Sequence, residues 1–171
     1  MNYKLIAAVC KGGGIGKSNS LPWNIKEDLV HFSKLTKGSG RNAVIMGRKT
    51  WEGLPNGILK GRDNLVLSND LTIQKKHTDN HITMSFQNID NINKFCMHKK
   101  YDQVWIIGGS TIYKLFLDAG LVDICSITYI DSDFDCDVSF PQFTGSWKLD
   151  GTYPMETTKD YDVEIRKLIR N

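Results

Sequence analysis

Short apolar runs alternate with segments of helical period along the chain. That alternation confines it to folds in which a largely parallel sheet is wrapped by helices. KLIAAVC, residues 4–10, reads as a first buried strand. After a glycine-rich loop, Asn24 followed three residues later by Glu27 has the spacing of a capping box. Leu29, Phe32 and Leu35 then supply an apolar stripe, which predicts a helix to about Lys37. NAVIMG predicts a second strand running into the helical turn RKTWEGL, and NLVLS and HITMSF predict two more strands. Residues 88–98 carry Ile89, Ile92 and Phe95 at helical spacing; VWIIGG reads as the most hydrophobic strand, and STIYKLFLDAG as a helix closed by Gly120. ICSITYI follows as a strand. YDVEIRKLI alternates Tyr161, Val163 and Ile165 with charged residues, as a half-solvated antiparallel edge would. The expectation is an α/β fold whose mixed, mostly parallel sheet of about eight strands ends in a C-terminal antiparallel edge.

Composition limits the rest. The 171 residues show no linker and suit one domain spanning 1–171, and 40% hydrophobic with 24% charged residues is the balance of a core-forming chain. A net charge of +3 is too small to announce a nucleic-acid partner. No apolar run approaches the roughly 20 residues of a membrane helix, and MNYKLIAAVCKGG lacks the features of a signal peptide, so no membrane partner and a cytoplasmic location are expected. Cys10, Cys96, Cys125 and Cys136 form no C-x-x-C pair and are expected to be free, mostly buried thiols. His77 and His81 stand four apart, but in the polar stretch KKHTDNH, where surface histidines and no metal site are expected.

KGGGIGKS, residues 11–18, imitates a phosphate-binding P-loop and fails it by one residue, because the required first glycine is Lys11. The G-x-G-x-x-G pattern fails too, at Lys17, and SNSLPW follows where a helix should begin. The segment reads as a loop, either a surface turn or a lid over a ligand. Three predicted strands end in turns that suit anions. MGRKT places Arg48 and Lys49 at the start of a helical turn, where the macrodipole disfavours cations unless an anion compensates. IIGGST offers two glycines and a helix mouth with Ser110 and Thr111, and LVLSND offers Ser68 and Asn69. A generic strand-to-helix turn explains any one of them; together they point to a dinucleotide across the carboxyl ends of an open sheet. Asp28 shares a helical face with Phe32 and Leu35. It is either a first-turn acid favoured by the macrodipole or a carboxylate able to grip an amidine-like ring edge with two hydrogen bonds.

In order, IAAV, GIGKSNSLPW, EDLVHF, VIMGRKTWEGLP, LKGRDNLVLS, WIIGGSTIY, ITYI, DVSFP and YDVEI resemble the dihydrofolate reductase family, from Leu5 to about Ile169. The resemblance implies a monomeric single-domain enzyme that reduces 7,8-dihydrofolate with NADPH and binds antifolates. Carried over by position, Asp28 would bond the pteridine, with Thr128 as its partner. Ile6, Ala7, Leu21, Leu29, Phe32, Leu54 and Ile107 would wall the pteridine and benzoyl rings, with Tyr113 beside them, and Arg62 would clamp the glutamate tail. Ala8 and the segment Ile15 to Leu21, including Gly16, Asn19 and Ser20, would touch the nicotinamide, and Ile107 would border it. Gly47, Arg48, Lys49 and Thr50, then Leu67, Ser68 and Asn69, and finally Gly108, Gly109, Ser110, Thr111, Ile112 and Tyr113 would hold the adenosine and phosphates. The Gly108–Gly109 bond is expected to be cis. The loop carrying Leu21 and Trp23 is expected to admit the water that protonates the pterin. Asn69 stands where many members carry an arginine, which leaves Arg48 as the main charged contact to a 2′-phosphate, and Asn19 and Ser20 replace the more usual lid pairs. Two other readings share some of these features. A pyrimidine reductase of riboflavin synthesis would share fold and cofactor without the EDLVHF helix and LKGR turn; a non-catalytic nucleotide-binding protein would lack Asp28 and Arg62.

Overall fold

The alternation of side chains along each strand decides how the layers form. In the computed structural model, which describes residues 1–171, the elements are β1 (Tyr3–Cys10), β2 (Gly14–Gly16), α1 (Lys26–Lys37), β3 (Asn42–Gly47), α2 (Arg48–Glu52), β4 (Asp63–Leu67), β5 (Gln74–Lys76), β6 (Ile82–Phe86), α3 (Ile89–Lys99), β7 (Gln103–Gly108), α4 (Ser110–Asp118), β8 (Val122–Ile130), β9 (Val138–Ser139), β10 (Trp147–Met155) and β11 (Val163–Arg170). One sheet has nine strands in the order β10-β11-β8-β1-β7-β3-β4-β6-β5, and β2 pairs with β9 apart from it. The strands from β8 to β6 in that order run parallel, β5 and β11 run antiparallel to them, and β10 pairs antiparallel with β11. Ile6, Val44, Met46, Val66 and Trp105 point to one face, where Phe32 and Leu35 of α1 cover them. Their neighbours Leu5, Ala43, Ile45, Leu65 and Ile106 point to the other, onto Ile92 and Cys96 of α3 and Ile112, Phe116 and Leu117 of α4. Both faces of the central strands are therefore covered, as their near-continuous apolar sequence requires.

The expected α/β class, the mostly parallel sheet and the antiparallel C-terminal edge are all present. The edge is a strand wider than the sequence suggests. β11 pairs with β8 on one side and with β10 on the other, and WKLDGTYPM of β10 is hard to recognise because its glycine, proline and charges interrupt any alternation. β2, β5 and β9, of two or three residues each, carry no periodic signal at all. The capping box at Asn24 does not form. Helix α1 starts at Lys26 behind Ile25, which makes no side-chain cap and is instead 2% exposed in a cluster with Cys10, Trp23 and Ile130, so burial places the helix start. Gly120 ends α4 as expected: it has φ +68, and Leu121 N donates to Phe116 O at 3.2 Å in a Schellman closure.

His77 departs from expectation. It is buried, with Nε2 2.6 Å from the Thr83 hydroxyl, because the turn at Asp79 and Asn80 folds the KKHTDNH segment back against β6. No group of histidine, cysteine or carboxylate side chains is placed to hold a metal ion. All four cysteines are free, three of them buried. No helix is long and apolar enough to cross a membrane.

The sheet's polar anchor is Asp63, at the start of β4 and fully buried. Its carboxylate accepts from Arg41 Nη2 at 2.9 and 3.0 Å, from the Tyr101 hydroxyl at 2.6 Å and from Ile82 N at 3.1 Å, joining β4 to β6 and to the segments before β3 and β7. Removing one partner of such a network strands the others. Asp63→Ala is therefore expected to lower stability by about 3–5 kcal/mol in urea unfolding, and a loss within experimental error would contradict this account.

Candidate active site

Asp28 lies in the first turn of α1 and reaches across to β8, where the buried Thr128 hydroxyl donates to its Oδ1 at 2.6 Å. Burial pushes the Asp28 carboxyl above the ordinary carboxylate range; the Thr128 hydrogen bond and nearby His31 pull the other way without overcoming it. Burial likewise lowers the His31 pKa, and its Nε2 is 3.5 Å from Ser126 Oγ, on the same face of β8 as Thr128. A carboxylate kept partly out of water, with one oxygen satisfied internally and the other facing a recess, is suited to bind a cationic ring edge. The recess holds about 110 Å³ and is lined by Leu21, Trp23, Asn24, Ile25, Asp28 and Leu29. Leu21 and Leu29 are 51% and 53% exposed, large apolar surface on either side of a polar group. Trp23 is buried, and its Nε1 has no hydrogen-bond partner.

From Asp28 the site runs down α1. Phe32 is one turn on and Thr36 two, so Asp28 to Thr36 spans about 12 Å at the helical rise. Thr36 donates to Phe32 O at 2.8 Å and accepts from Arg62 Nη1 at 2.9 Å, while Arg62 Nε donates to Lys60 O at 2.9 Å. Arg62 is 4% exposed, has no carboxylate partner, and burial lowers its pKa. A buried guanidinium whose protein contacts are a hydroxyl and a carbonyl is suited to take an external anion. Leu54 and Ile107 are half-buried beside Ile6 on this face. Ala7 is not with them: its side chain points to the α3 and α4 face, so it can border the recess through its backbone alone. Tyr113 OH lies 2.8 Å from Ile6 O and 2.9 Å from Ile107 O, and burial pushes its pKa up, so its one proton stays to be shared by the carbonyls of β1 and β7.

The three turns that suit anions end neighbouring strands. β7, β3 and β4 are consecutive in the sheet; Met46 pairs with Gly108, and Gly47 with Leu67. The ends of three adjacent strands span about 10 Å. Arg48 is exposed, with Nε 3.2 Å from Glu52 and Nη1 4.0 Å from Asp70, and Lys49 is exposed beside it. Gly109 caps α4 with no side-chain bond and no acid follows in the first turn, so the helix offers its N–H groups outward. A Cβ at Gly109 would stand 3.8 Å from Thr50 Oγ1, which places that hydroxyl on the same gap. Gly108 admits no other residue: its φ is +112 and a Cβ would meet the Tyr113 ring at 3.0 Å. The Gly108–Gly109 bond is cis. Ser110 Oγ donates to Ser139 O at 2.8 Å, so its proton is engaged with β9; Thr111 is exposed and Ile112 buried. Ser68 and Asn69 follow β4, with Ser68 Oγ accepting from Asp70 N at 3.3 Å and Leu67 buried in the core. Free N–H groups, glycines and two cations in one row fit a pyrophosphate-bridged dinucleotide.

The loop after β1 folds on itself. Lys17 and Ser20 exchange two 2.9 Å backbone bonds around Ser18 and Asn19, both at positive φ, which makes a two-residue hairpin tip. β2 below it carries Ile15 and Gly16 and is held by the segment 135–140: Asp137 Oδ2 accepts from Ser18 N at 3.0 Å and Lys17 Nζ reaches Asp135 at 2.7 Å. Ala8 stands in the cluster beneath, with Cys10 and Trp23. The sequence offers DVSFP within this segment only as a motif of resemblance and not as a grip on β2, because a strand of two residues leaves no pattern. Sequence reasoning missed Thr36, although the spacing of eight from Asp28 puts it on the same helical face.

A family model described as dihydrofolate reductase matches residues 2–170. The dihydrofolate reductase of Aedes albopictus is 34% identical over 154 residues, covering 86% of this chain and 83% of its own. That of Heliothis virescens is 35% identical over 148 residues, covering 82% and 80%, and that of Drosophila melanogaster 35% over 155 residues, covering 86% and 84%.

The direction of the Asp28 shift has a consequence for stability. A carboxyl that binds its proton more tightly folded than unfolded contributes stability below the unfolded value of 3.8, and that contribution is lost as pH rises through the higher folded value. Asp28→Asn removes the loss. The variant is expected to melt above the parent at neutral pH, with the gap closing towards about pH 3; a variant no more stable at neutral pH would contradict burial as the dominant cause.

Proposed function

The chain belongs to the dihydrofolate reductase family, whose reaction reduces 7,8-dihydrofolate to 5,6,7,8-tetrahydrofolate, and we propose that it takes the hydride from NADPH and works through the residues assembled along α1. The observation that carries the reading is the pairing on one face of a half-buried carboxylate, Asp28, with a buried arginine lacking an ion partner, Arg62. Their separation along the helix suits a ligand with a cationic ring edge at one end and a carboxylate at the other. The presence of both counts against a protein that binds nucleotides without catalysis, and the family match counts against the riboflavin-pathway reductase.

Asp28 bonds the pteridine N3 and 2-amino group, and its negative charge favours protonation of the ring. Thr128 holds the carboxylate in that orientation. Phe32, Leu29, Leu54 and Ile107 enclose the rings and exclude water, and Arg62 takes the glutamate tail's carboxylate by its free guanidinium edge. Arg48, Lys49, Thr50 and the N-terminus of α4 are suited to hold the phosphates of NADPH, which, when bound, supplies the hydride that passes to pterin C6. The proton for N5 comes from water. Trp23 Nε1, buried without a partner in the same recess as Asp28, is suited to hold that water, and the lid carrying Leu21 controls its entry. Every residue in this scheme belongs to one chain, so no second copy is needed to complete the site. A diaminopyrimidine antifolate, protonated, would compete at Asp28.

Loss of reduced-nicotinamide absorbance on adding dihydrofolate tests the reading, and its absence would overturn it. Asp28→Asn is expected to lose most turnover at neutral pH while binding NADPH as before; equal losses in both would remove the role given to Asp28. Arg62→Ala is expected to raise KM for dihydrofolate by about 10–100-fold with kcat nearly kept, the cost of one charge-assisted pair. A pterin without the glutamate tail should not feel that substitution, and if it does, Arg62 is not the tail's partner.

A further inference from the structure

Two sulfurs take no part in the scheme above. Cys10 ends β1 and Cys136 lies 126 residues on, in the loop before β9, yet their Sγ atoms are 3.9 Å apart. Cys10 is 1% exposed and Cys136 is partly exposed. Both sulfurs lie against the first residue of β2: a Cβ on Gly14 would stand 2.5 Å from Cys136 Cβ and Sγ and 3.1 Å from Cys10 Sγ. Cys136 is also flanked by the two side chains that grip the lid. Asp135 pairs with Lys17 and Asp137 accepts from Ser18 N, while Asp137 N donates to Gly16 O at 3.0 Å and Phe140 N to Gly13 O at 2.8 Å. The end of β1, the lid strand and the loop that grips the lid thus meet at one pair of thiols.

We propose that Cys10 and Cys136 are a redox-modification site: two-electron oxidation by a peroxide joins their sulfurs in a disulfide that fastens the lid-gripping loop to the end of β1 and slows turnover until a thiol reduces it. The sulfurs must close from 3.9 Å to about 2.05 Å. Cys10 is paired with Ile130 in the sheet ladder, so the movement falls on Cys136 and carries Asp135 and Asp137 with it. The Cys136 thiolate attacks one peroxide oxygen; the O–O bond breaks, hydroxide leaves and takes a proton to become water, and a sulfenic acid remains. The Cys10 sulfur then attacks the Cys136 sulfur, the S–O bond breaks and a second water leaves with the Cys10 proton. Two thiols have lost two electrons and two protons, and the peroxide has been reduced to two waters. Burial and the adjacent Cys10 raise the Cys136 thiol above its ordinary range, so the first step is slow at neutral pH.

The consequence for turnover rests on the reductase reading; the cross-link does not. The test treats the reduced full chain with hydrogen peroxide, maps non-reduced peptides by mass, follows tryptic cleavage after Lys17, and measures kcat before and after dithiothreitol. A peptide joining Cys10 to Cys136 is expected, with cleavage after Lys17 slowed and kcat lowered by about tenfold. Dithiothreitol should restore both, which separates the effect from methionine oxidation, since the sulfoxide needs its own reductase. Cys136→Ser and Cys10→Ala should keep basal kcat and lose the response. Recovery of both sulfurs unlinked, a bond to Cys96 or Cys125 instead, or a Cys10–Cys136 bond that leaves Lys17 cleavage and kcat unchanged would each overturn the proposal. Mapping and cleavage decide the cross-link even if the reduced chain shows no dihydrofolate-dependent turnover, a result that would count against the reductase reading alone.

Discussion

The site depends on one carboxylate that the fold holds in an unfavourable place. Asp28 would be easily solvated in the first turn of an isolated helix, where the macrodipole alone would favour it. Docking of α1 on β3 and β7 puts it against β8 instead, with the Thr128 hydroxyl as its one hydrogen-bonded side-chain partner and burial holding its pKa up. Arg62 is in the matching state two turns away, a cation drawn out of water by Thr36 and Lys60 with no anion to meet it. Each charge costs the folded chain stability that a ligand of opposite charge at that end would return. In the proposed function, the length of α1 between them sets the selectivity for a molecule charged oppositely at its two ends.

The second half of the site comes from strand order. Because β7, β3 and β4 are neighbours and parallel, their C-terminal turns line up without any loop having to bring them together. Each turn is unremarkable alone; adjacency sets a glycine pair, a helix mouth and two cations in one row, the arrangement that the proposed phosphate site uses. Tyr113 ties the row of turns to the face that carries Asp28, since its hydroxyl sits between the carbonyls of Ile6, midway along β1, and Ile107, near the end of β7.

Much of this was legible in the residues because the features concerned are local or periodic. The central strands, α1, α4 with its Gly120 stop, and the Gly108–Gly109 turn all carry their signal within a few residues. Arg62 was legible as a candidate, but its burial was not, since that depends on Thr36 reaching it across 26 positions. The grip on β2 and the tip after it was invisible for a similar reason: β9 is two residues long and acquires its role by pairing with β2, far away in the chain. Asn24 and His77 depart from their local signals in the same way. Both lie in polar stretches whose local chemistry suggests a cap and a surface, and in both cases tertiary packing decided the outcome, through Ile25 in one and Thr83 in the other.

If the carboxylate recess and the row of strand-end turns form one site, a hydride passes within it from cofactor to pterin. A single-turnover experiment with NADPH deuterated at the transferred position of C4, mixed with enzyme and dihydrofolate, tests it most directly. The account predicts dihydrofolate-dependent oxidation, slowed by the deuterium, with the label recovered at C6 of tetrahydrofolate. Oxidation that proceeds without dihydrofolate, or label that appears in solvent instead of at C6, would contradict it.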